Sequence, residues 1–341
     1  MSDAAWETLS NQAVAVAGVV YFLALLAYVV EWSGLRRVPA VSESAVAGAS
    51  VGGSVAVATG GPAPATPLPQ RSAMFERLGL LLTAIACGFH GVALLARGLA
   101  ADPNRVPWGN MYEFTLAGTF FVTLIFLVLY RRFQLSWLGP IVVSFVLALL
   151  MVAVLWLYDP VAPLTEALNS PWLVIHVVSA VLATGAFTLG GFTSVLYLVK
   201  DRRPDATTGY VARLPQPATL DQISYRLHAF GFPVWTFAVL ITGPIWAHQA
   251  WSSYWNWDPK EVWAFITWVV YAAYLHARAT AGWKGRKAAW LALVGVATLW
   301  FNFIGVNYFS TTSQHSYAAP AVVGRVALSD SPGGESLTSQ G

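Results

Sequence analysis

The chain has 341 residues, of which 57% are hydrophobic and only 10% are charged. An average soluble domain is about 25% charged, so this composition excludes a soluble globular protein. The net charge of +3 does not indicate a nucleic-acid partner, because membrane proteins collect Lys and Arg at the cytoplasmic ends of their helices. We therefore expect a membrane protein that binds no nucleic acid.

Eight long apolar runs follow one another along the chain. A helix needs roughly 20 apolar residues to cross a bilayer, whereas the strands of a membrane barrel have about ten residues of alternating polarity. The length and uniform apolarity of the runs predict an all-α polytopic membrane protein with about eight transmembrane helices. The runs lie at about 13–30, 78–96, 114–130, 137–157, 172–199, 228–247, 262–277 and 288–306.

Changes in composition divide the chain into four predicted segments. Residues 1–37 contain the first span, and 38–73 form a flexible cytoplasmic linker rich in Ala, Val, Gly, Ser and Pro. Residues 74–317 form a helical domain with the other seven spans. The polar tail at 318–341 is expected to be loose.

The basic residues predict the orientation of the chain in the membrane. Fifteen Lys and Arg residues lie in the connections that follow spans 1, 3, 5 and 7, and four lie on the other side. Because basic residues mark the cytoplasmic side, both termini and the loop between spans 6 and 7 are predicted to face outward. The only cysteine, Cys87, lies within span 2, so the chain has no thiol pair of its own.

The loop between spans 6 and 7 is unusually rich in tryptophan. Six of the sixteen tryptophans lie in the stretch 246–268, which reads WAHQAWSSYWNWDPKEVWAFITW. A membrane interface explains one or two tryptophans at a helix end, but not six around one turn. The rings of this loop are typical of a flat platform for a large planar ligand such as a porphyrin. The platform residues are Trp251, Tyr254, Trp255 and Trp257, and Lys260 and Arg105 are candidates to meet the porphyrin carboxylates.

The Asp-Pro-Lys-Glu segment in the same loop also has a purely structural explanation. Asp258 at the N-cap, Pro259 at the first helical position and Glu261 at the third make a strong helix start. The sequence leaves both the capping role and the ligand-binding role open.

Two histidines are predicted to lie at the level of this loop. His176 is about 7.5 Å below the outer end of span 5, and His315 follows span 8. Two histidines at one depth beside an aromatic shelf can ligate a haem iron from both faces. His276 lies about 27 Å down span 7 from Asp258, near the inner leaflet, and is a candidate for a second site. A structural role is expected for the other histidines, His90, His228 and His248.

Several segments resemble the tryptophan-rich WWD signature of the cytochrome c assembly family. The resemblance covers roughly residues 75–320 and rests on WNWDPKEVWAFITWVVYAAYLHAR, PWLVIHV around His176, SQHSYA around His315 and VPWGNMYEF after span 2. Eight spans without a large extra domain are most similar to the CcsA type of the two-protein System II. Ser252 departs from the pattern, because the family often has Gly there, and His248 stands at a position that is usually not histidine.

The resemblance implies a role for the chain in the biogenesis of c-type cytochromes in the bacterial plasma membrane. With a ResB/CcsB-type membrane partner it would deliver haem b to the outer face and present it to the CxxCH motif of apocytochrome c. His176 and His315 match the two outer iron ligands, and His276 matches an inner ligand whose counterpart comes from the partner. The residues implied to contact the haem are Trp251, Tyr254, Trp255, Trp257, Asp258, Lys260, Glu261 and Trp263.

Other functional classes remain open from the sequence. A haem b electron-transfer subunit would pair histidines between helices at similar depths. A small-molecule transporter would have helices broken at mid-membrane, and Gly185, Gly190 and Gly191 in span 5 permit such a break. No residue has the setting of a covalent nucleophile, so a part in a membrane cytochrome c synthase would be non-covalent. Reduction of the substrate cysteines would then fall to separate thiol-reducing proteins.

Overall fold

The structure is a computed structural model, and it describes residues 1–35, 70–163, 168–310 and 313. Within these ranges every regular element is helical, which confirms the predicted all-α polytopic fold. The second helix begins at Gln70, inside the predicted linker 38–73. The rest of that linker, the predicted tail 318–341 and His315 lie outside the described residues.

Eleven α-helical segments are described, and two pairs of them are joined through a π-helical turn. The π turns are Phe237–Thr242, between α7 and α8, and Phe301–Gly305, between α10 and α11. The helices are α1 (Asp3–Leu35), α2 (Gln70–Leu99), α3 (Met111–Phe133), α4 (Gly139–Trp156), α5 (Pro171–Asp201), α6 (Gly209–Arg213), α7 (Pro217–Thr236), α8 (Gly243–Trp251), α9 (Pro259–Ala279), α10 (Arg286–Trp300) and α11 (Val306–Phe309).

Seven of the described segments are long and apolar enough to cross a membrane, against eight predicted runs. The remaining run, 262–277, is helix α9, which has 21 residues and reaches about 31 Å. Its Trp, Tyr and His side chains make it less apolar than the other seven. The sequence therefore located this helix, and its aromatic content is what separates it from an ordinary span.

Helix α5 occupies the centre of the bundle and contacts α3, α7 and α10. One buried apolar cluster joins α1–α4 to one side of α5 and α7, and a second joins the other side of α5 and α7 to α9 and α10. The loop at 252–258 lies at the same end of the bundle as the start of α1, α3, α5 and α9. We call this the tryptophan end, and the other the opposite end.

The middle of the second cluster is filled by an aromatic plug, which consists of Phe187, His228, Tyr271 and Tyr274. The Phe187 and Tyr271 rings stack at 3.8 Å, and the His228 ring centroid is 5.3 Å from that of each tyrosine. Gly190 makes room for the imidazole, since a Cβ there would lie 2.5 Å from His228 Cε1.

The three glycines of span 5 do not break the helix. Helix α5 runs without interruption from Pro171 to Asp201. Gly185 lies against Ile125, Gly190 lies against His228, and Gly191 lies against Val296. These glycines thus allow close packing of neighbouring side chains, and they provide no hinge of the kind that the transporter alternative needs.

Candidate functional site

A cavity of about 180 Å³ opens at the tryptophan end between the start of α3, α5, the α7–α8 segment, α9 and the end of α10. Its walls are mainly aromatic, and a smaller set of polar side chains faces the same space. The aromatic lining residues are Trp108, Phe114, Trp235, Trp246, Tyr254, Trp255 and Phe303. The polar lining residues are Asn110, His176, Thr184, Lys260, Glu261 and Asn302.

His176 enters this cavity from the first turns of α5, which begins with Ser170 as N-cap and Pro171 as the next residue. Its half-buried ring stacks on Trp246, with ring centroids 6.0 Å apart and planes inclined by 13°. Its Nδ1 lies 3.0 Å from the carbonyl oxygen of Ala238. Since a carbonyl only accepts, Nδ1 carries the proton and the lone pair of the neutral ring is on Nε2.

The π turn at Phe237–Thr242 explains why this carbonyl can meet a histidine. In the turn, the Gly243 N–H donates to the Ala238 carbonyl in place of the i→i−4 pattern of an α-helix. The Thr242 hydroxyl donates to the same oxygen at 3.1 Å. Gly243 also lies close to the imidazole, because a Cβ there would be 3.2 Å from the His176 ring. The π turn therefore provides both the carbonyl that orients the His176 ring and the space for that ring.

The Trp-rich loop begins and ends with well-defined helix caps. Helix α8 ends at Trp251, and Ser252 takes a left-handed conformation with φ of 57°. This conformation favours glycine, which explains why Gly suits this position. At the other end, Asp258 accepts from Lys260 N–H at 2.8 Å, and Glu261 accepts from Asp258 N–H at 3.2 Å. The predicted capping role of the Asp-Pro-Lys-Glu segment is confirmed as a capping box.

The structure divides the eight predicted contact residues into two groups. Tyr254, Trp255, Lys260 and Glu261 line the cavity. The other four lie around it. Trp251 packs edge-on to Trp246 and Trp263 packs against Phe301, with ring centroids 4.8 and 4.2 Å apart. Trp257 is 71% exposed, and Asp258 is the buried cap. The sequence grouped these residues because they are adjacent along the chain, but the turn separates their side chains.

Asp258 also connects the loop to the far end of the described chain. Its Oδ1 accepts a hydrogen bond of 2.9 Å from the hydroxyl of Ser313, and both side chains are buried. Ser313 precedes His315 by two residues. The predicted ligand itself lies outside the described residues.

A buried ionic network supports the part of the cavity wall that includes Trp108. Glu113, fully buried at the start of α3, pairs with Arg97 at 3.0 Å and with Arg105 at 2.7 Å. It also accepts from the Gly109 N–H at 2.7 Å, so it holds the segment that brings Trp108 into the cavity. Arg105 does not line the cavity, and its guanidinium is engaged with Glu113 rather than directed at a ligand.

Two buried asparagines at the tryptophan end were not singled out from the sequence, and one of them, Asn302, lines the cavity. Asn302 lies in the π turn at Phe301–Gly305 and is buried. Asn307 accepts a 2.8 Å hydrogen bond from Lys260 Nζ, and its own amide lies 3.4 Å from Met111 Sδ. A buried polar residue in an apolar run is by itself a sign of a site, and Asn302 could have been noticed on that ground.

The other described histidines do not line this cavity. His276 is exposed near the end of α9, at the opposite end of the bundle. His228 is buried in the aromatic plug, His90 is buried with its ring about 6 Å from those of Tyr21 and Phe120, and His248 is exposed and stacks on Tyr254 at 4.2 Å. Among the described residues, no group of three or more His, Cys, Asp or Glu side chains could hold a metal ion.

The sequence is similar to one protein family and to several of its members. Residues 108–313 match the family described as Cytochrome C assembly protein. A cytochrome c biogenesis protein CcsA of Guillardia theta is 35% identical over 264 residues, covering 70% of this chain and 85% of that protein. The protein of the same name from Gloeobacter violaceus is 33% identical over 314 residues, covering 74% of this chain and 91% of its own length.

A solved structure shares the fold. The cytochrome c haem lyase CcmF superposes with a TM-score of 0.58 at 17% sequence identity, over 89% of this chain. The chain spans about half of that protein, since 49% of it is covered. This similarity supports the helical architecture alone.

Proposed function

Because the chain belongs to the cytochrome c assembly protein family, we propose that it holds haem b in the cavity at the tryptophan end. It is of the CcsA type, a membrane protein of cytochrome c biogenesis. The observation that carries the proposal is His176, whose Nδ1 is engaged by the Ala238 carbonyl. The nitrogen with the lone pair, Nε2, is the one that ligates iron in a neutral imidazole.

The cavity walls suit a porphyrin as cargo. Seven aromatic side chains line it, and aromatic faces stack well on a planar π system. Its volume of about 180 Å³ is below the roughly 300–1,000 Å³ of typical ligand pockets. A haem would therefore extend beyond the enclosed part, with one edge accessible to a polypeptide. This is the arrangement that attachment to a second protein requires.

His315 is the proposed second iron ligand. The hydrogen bond from Ser313 to Asp258 fixes the preceding chain at the Trp-rich loop. Two residues extend at most about 7 Å, and the separation of His315 from Ser313 along the chain supports its proposed role at the same end of the bundle. Ligation requires neutral imidazoles, and acid is expected to weaken binding for that reason.

The residues of this chain contribute mainly position to thioether attachment. In that reaction a cysteine thiol of apocytochrome c adds across a haem vinyl group, so that a C–S bond forms and the thiol hydrogen ends on carbon. Holding the two reactants in register removes a large entropic cost. The single cysteine, Cys87, is buried in α2, so we assign reduction of the substrate thiols to separate proteins.

A second contact with haem is proposed at His276, together with a ResB/CcsB-type partner. His276 shares an exposed stripe of α9 with Phe265 and Val269, four to eleven residues apart on one helix face. Such an exposed stripe suits an iron ligand completed by another membrane protein. The Trp-rich loop and both termini are proposed to face outward from a bacterial plasma membrane, because the basic residues concentrate in the connections at the opposite end.

The test is a haem absorption spectrum of the chain purified with its membrane partner. We expect the double variant His176→Ala, His315→Ala to lose the tryptophan-end haem. The matched variant His248→Ala should keep it, because that exposed imidazole contacts the outside of Tyr254 and does not itself line the cavity. Haem retained unchanged in the double variant would remove the proposal.

A further inference from the structure

Two buried polar atoms in the cavity wall have no hydrogen-bond partner among the described residues. They are the indole Nε1 of Trp255 and the amide Oδ1 of Asn302, and both residues line the cavity. Leaving such a group unsatisfied costs about 1–3 kcal/mol, so unsatisfied polar atoms in a native fold call for an explanation. Nothing in the roles proposed above, stacking and iron ligation, uses either atom.

The chemistry of these two groups narrows the missing partner. An indole N–H only donates, so the partner of Trp255 must be an acceptor. As placed, the Asn302 oxygen can only accept, so its partner would be a donor. After a half turn about its last bond the amide presents its NH₂ group to the same space instead, because the two orientations have nearly the same shape. In that second orientation both groups donate, and a carboxylate, which only accepts but has two oxygens, has the chemistry to bind both.

Lys260 brings a positive charge to this wall, and the neighbouring carboxylate of Asp258 is held by the Lys260 N–H and the Ser313 hydroxyl. Lys260 lines the same cavity, and its Nζ donates to Asn307 Oδ1 at 2.8 Å, five residues along the chain from Asn302. Glu261 also lines the cavity, but its Oε2 accepts from the N–H groups of Asn256 and Asp258, at 2.9 and 3.2 Å. Its negative charge is thus held at the positive N-terminal end of α9, which offsets it.

We propose that Trp255, Asn302 and Lys260 form a carboxylate-binding corner that accepts a propionate of the haem, and this inference rests on the proposed function. The indole N–H and the Asn302 amide donate to the carboxylate oxygens, and the Lys260 ammonium supplies the opposite charge. Trp255 thereby has a polar role besides stacking. Asn302 becomes a binding residue that fixes the rotation of the porphyrin about the iron.

The corner is tested by comparing ferric haem with its dimethyl ester, in which both propionates are neutral. The full chain in detergent is titrated with each porphyrin by absorption, in a His276→Ala background that removes the proposed contact at the opposite end. We expect the ester to bind at least about tenfold more weakly than haem, which is the factor that a charge-assisted hydrogen bond provides.

Three variants then separate the polar role from the apolar one. Trp255→Phe keeps an aromatic ring and removes the N–H, Asn302→Leu removes the amide and Lys260→Met removes the charge. Each is expected to weaken haem binding several-fold while leaving ester binding nearly unchanged. The matched control Trp290→Phe alters a 56% exposed tryptophan outside the cavity and should change neither affinity.

Two results would overturn the corner. One is a wild type that binds haem and its ester equally well, and the other is a set of variants that weakens both porphyrins by the same factor. Both leave haem binding itself intact, so they are distinguishable from failure of the proposed function, in which neither porphyrin binds at the tryptophan end.

Discussion

His176 and His228 occupy similar chemical settings but very different spaces. Each ring nitrogen Nδ1 lies against a backbone carbonyl, that of Ala238 at 3.0 Å for His176 and that of Ser224 at 2.7 Å for His228. Each ring also packs on aromatic neighbours. Beyond His176 there is a cavity, whereas His228 is fully buried and Gly190 is in contact with its ring.

The difference shows that the tautomer alone does not make a ligand site. Both histidines have the lone pair on Nε2, but only the one at the tryptophan end faces enough space for a bound group. The Nε2 of His228 has no hydrogen-bond partner among the described residues. Packing of the ring in the aromatic plug offsets the free-energy cost of burying that unpaired nitrogen. We therefore expect loss of His176 to affect haem binding and loss of His228 to affect stability.

The largest expected effect is that of His176→Ala on haem. Removing the iron ligand should lower the affinity for ferric haem by at least about tenfold, since a ligand and its oriented contacts are lost. The free energy of unfolding of the ligand-free protein should change little, because the side chain is only half-buried. Titration by absorption and thermal unfolding in detergent give the two quantities, and a stability loss with unchanged affinity would reverse the assignment.

His228→Ala should give the opposite pattern. Truncation of a fully buried ring leaves a void, and we expect a loss of about 3 kcal/mol in the free energy of unfolding. Haem affinity per folded molecule should remain that of the wild type. Thermal unfolding of the detergent-solubilised protein measures the loss, and a destabilisation below about 1 kcal/mol would show that the plug is loosely packed.

Gly190→Ala tests whether the plug is filled. The new methyl group would lie 2.5 Å from His228 Cε1, so we expect a loss of about 1–3 kcal/mol. In the His228→Ala background the same substitution should cost much less, because the clashing ring is gone. Gly88→Ala is the matched control, since a Cβ there meets nothing within 4 Å. Equal costs for Gly190→Ala in both backgrounds would contradict the contact.

The smallest effect is expected at the cap of the Trp-rich loop. Asp258→Ala removes the acceptor for the Lys260 N–H and for the Ser313 hydroxyl, and should cost about 1–2 kcal/mol. Asp258→Asn keeps a side-chain oxygen and should recover most of that loss. Thermal unfolding again provides the measurement, and an alanine variant as stable as the asparagine variant would count against the cap.

The sequence predicted those parts of the fold and site that depend on local pattern. Apolar runs located the long helices, including α9, and the order Asp258, Pro259, Glu261 predicted a helix start that is present as a capping box. His176 was placed at the level of the Trp-rich loop by counting residues along a helix, and it lines the same cavity as Tyr254 and Trp255.

The parts that escaped prediction depend on contacts between helices. The two π turns change the hydrogen-bond register without a distinctive residue pattern, so the Ala238 carbonyl could not be assigned to the site, and Asn302 stood out only as a polar residue in an apolar run. The path of the loop between α8 and α9 includes two left-handed residues, Ser252 and Trp257. Neighbours along the chain were therefore predicted to share a surface from which the fold separates them.

Chemical rescue with imidazole tests the central claim most directly. The full chain carrying His176→Gly and His276→Ala is titrated with ferric haem in the presence and absence of free imidazole, and His228→Gly is treated in the same way. We predict that His176→Gly loses the low-spin absorption spectrum and regains it with imidazole, which enters the cavity in place of the side chain, while His228→Gly shows a wild-type spectrum throughout. An unchanged low-spin spectrum in His176→Gly without imidazole would contradict ligation by this residue.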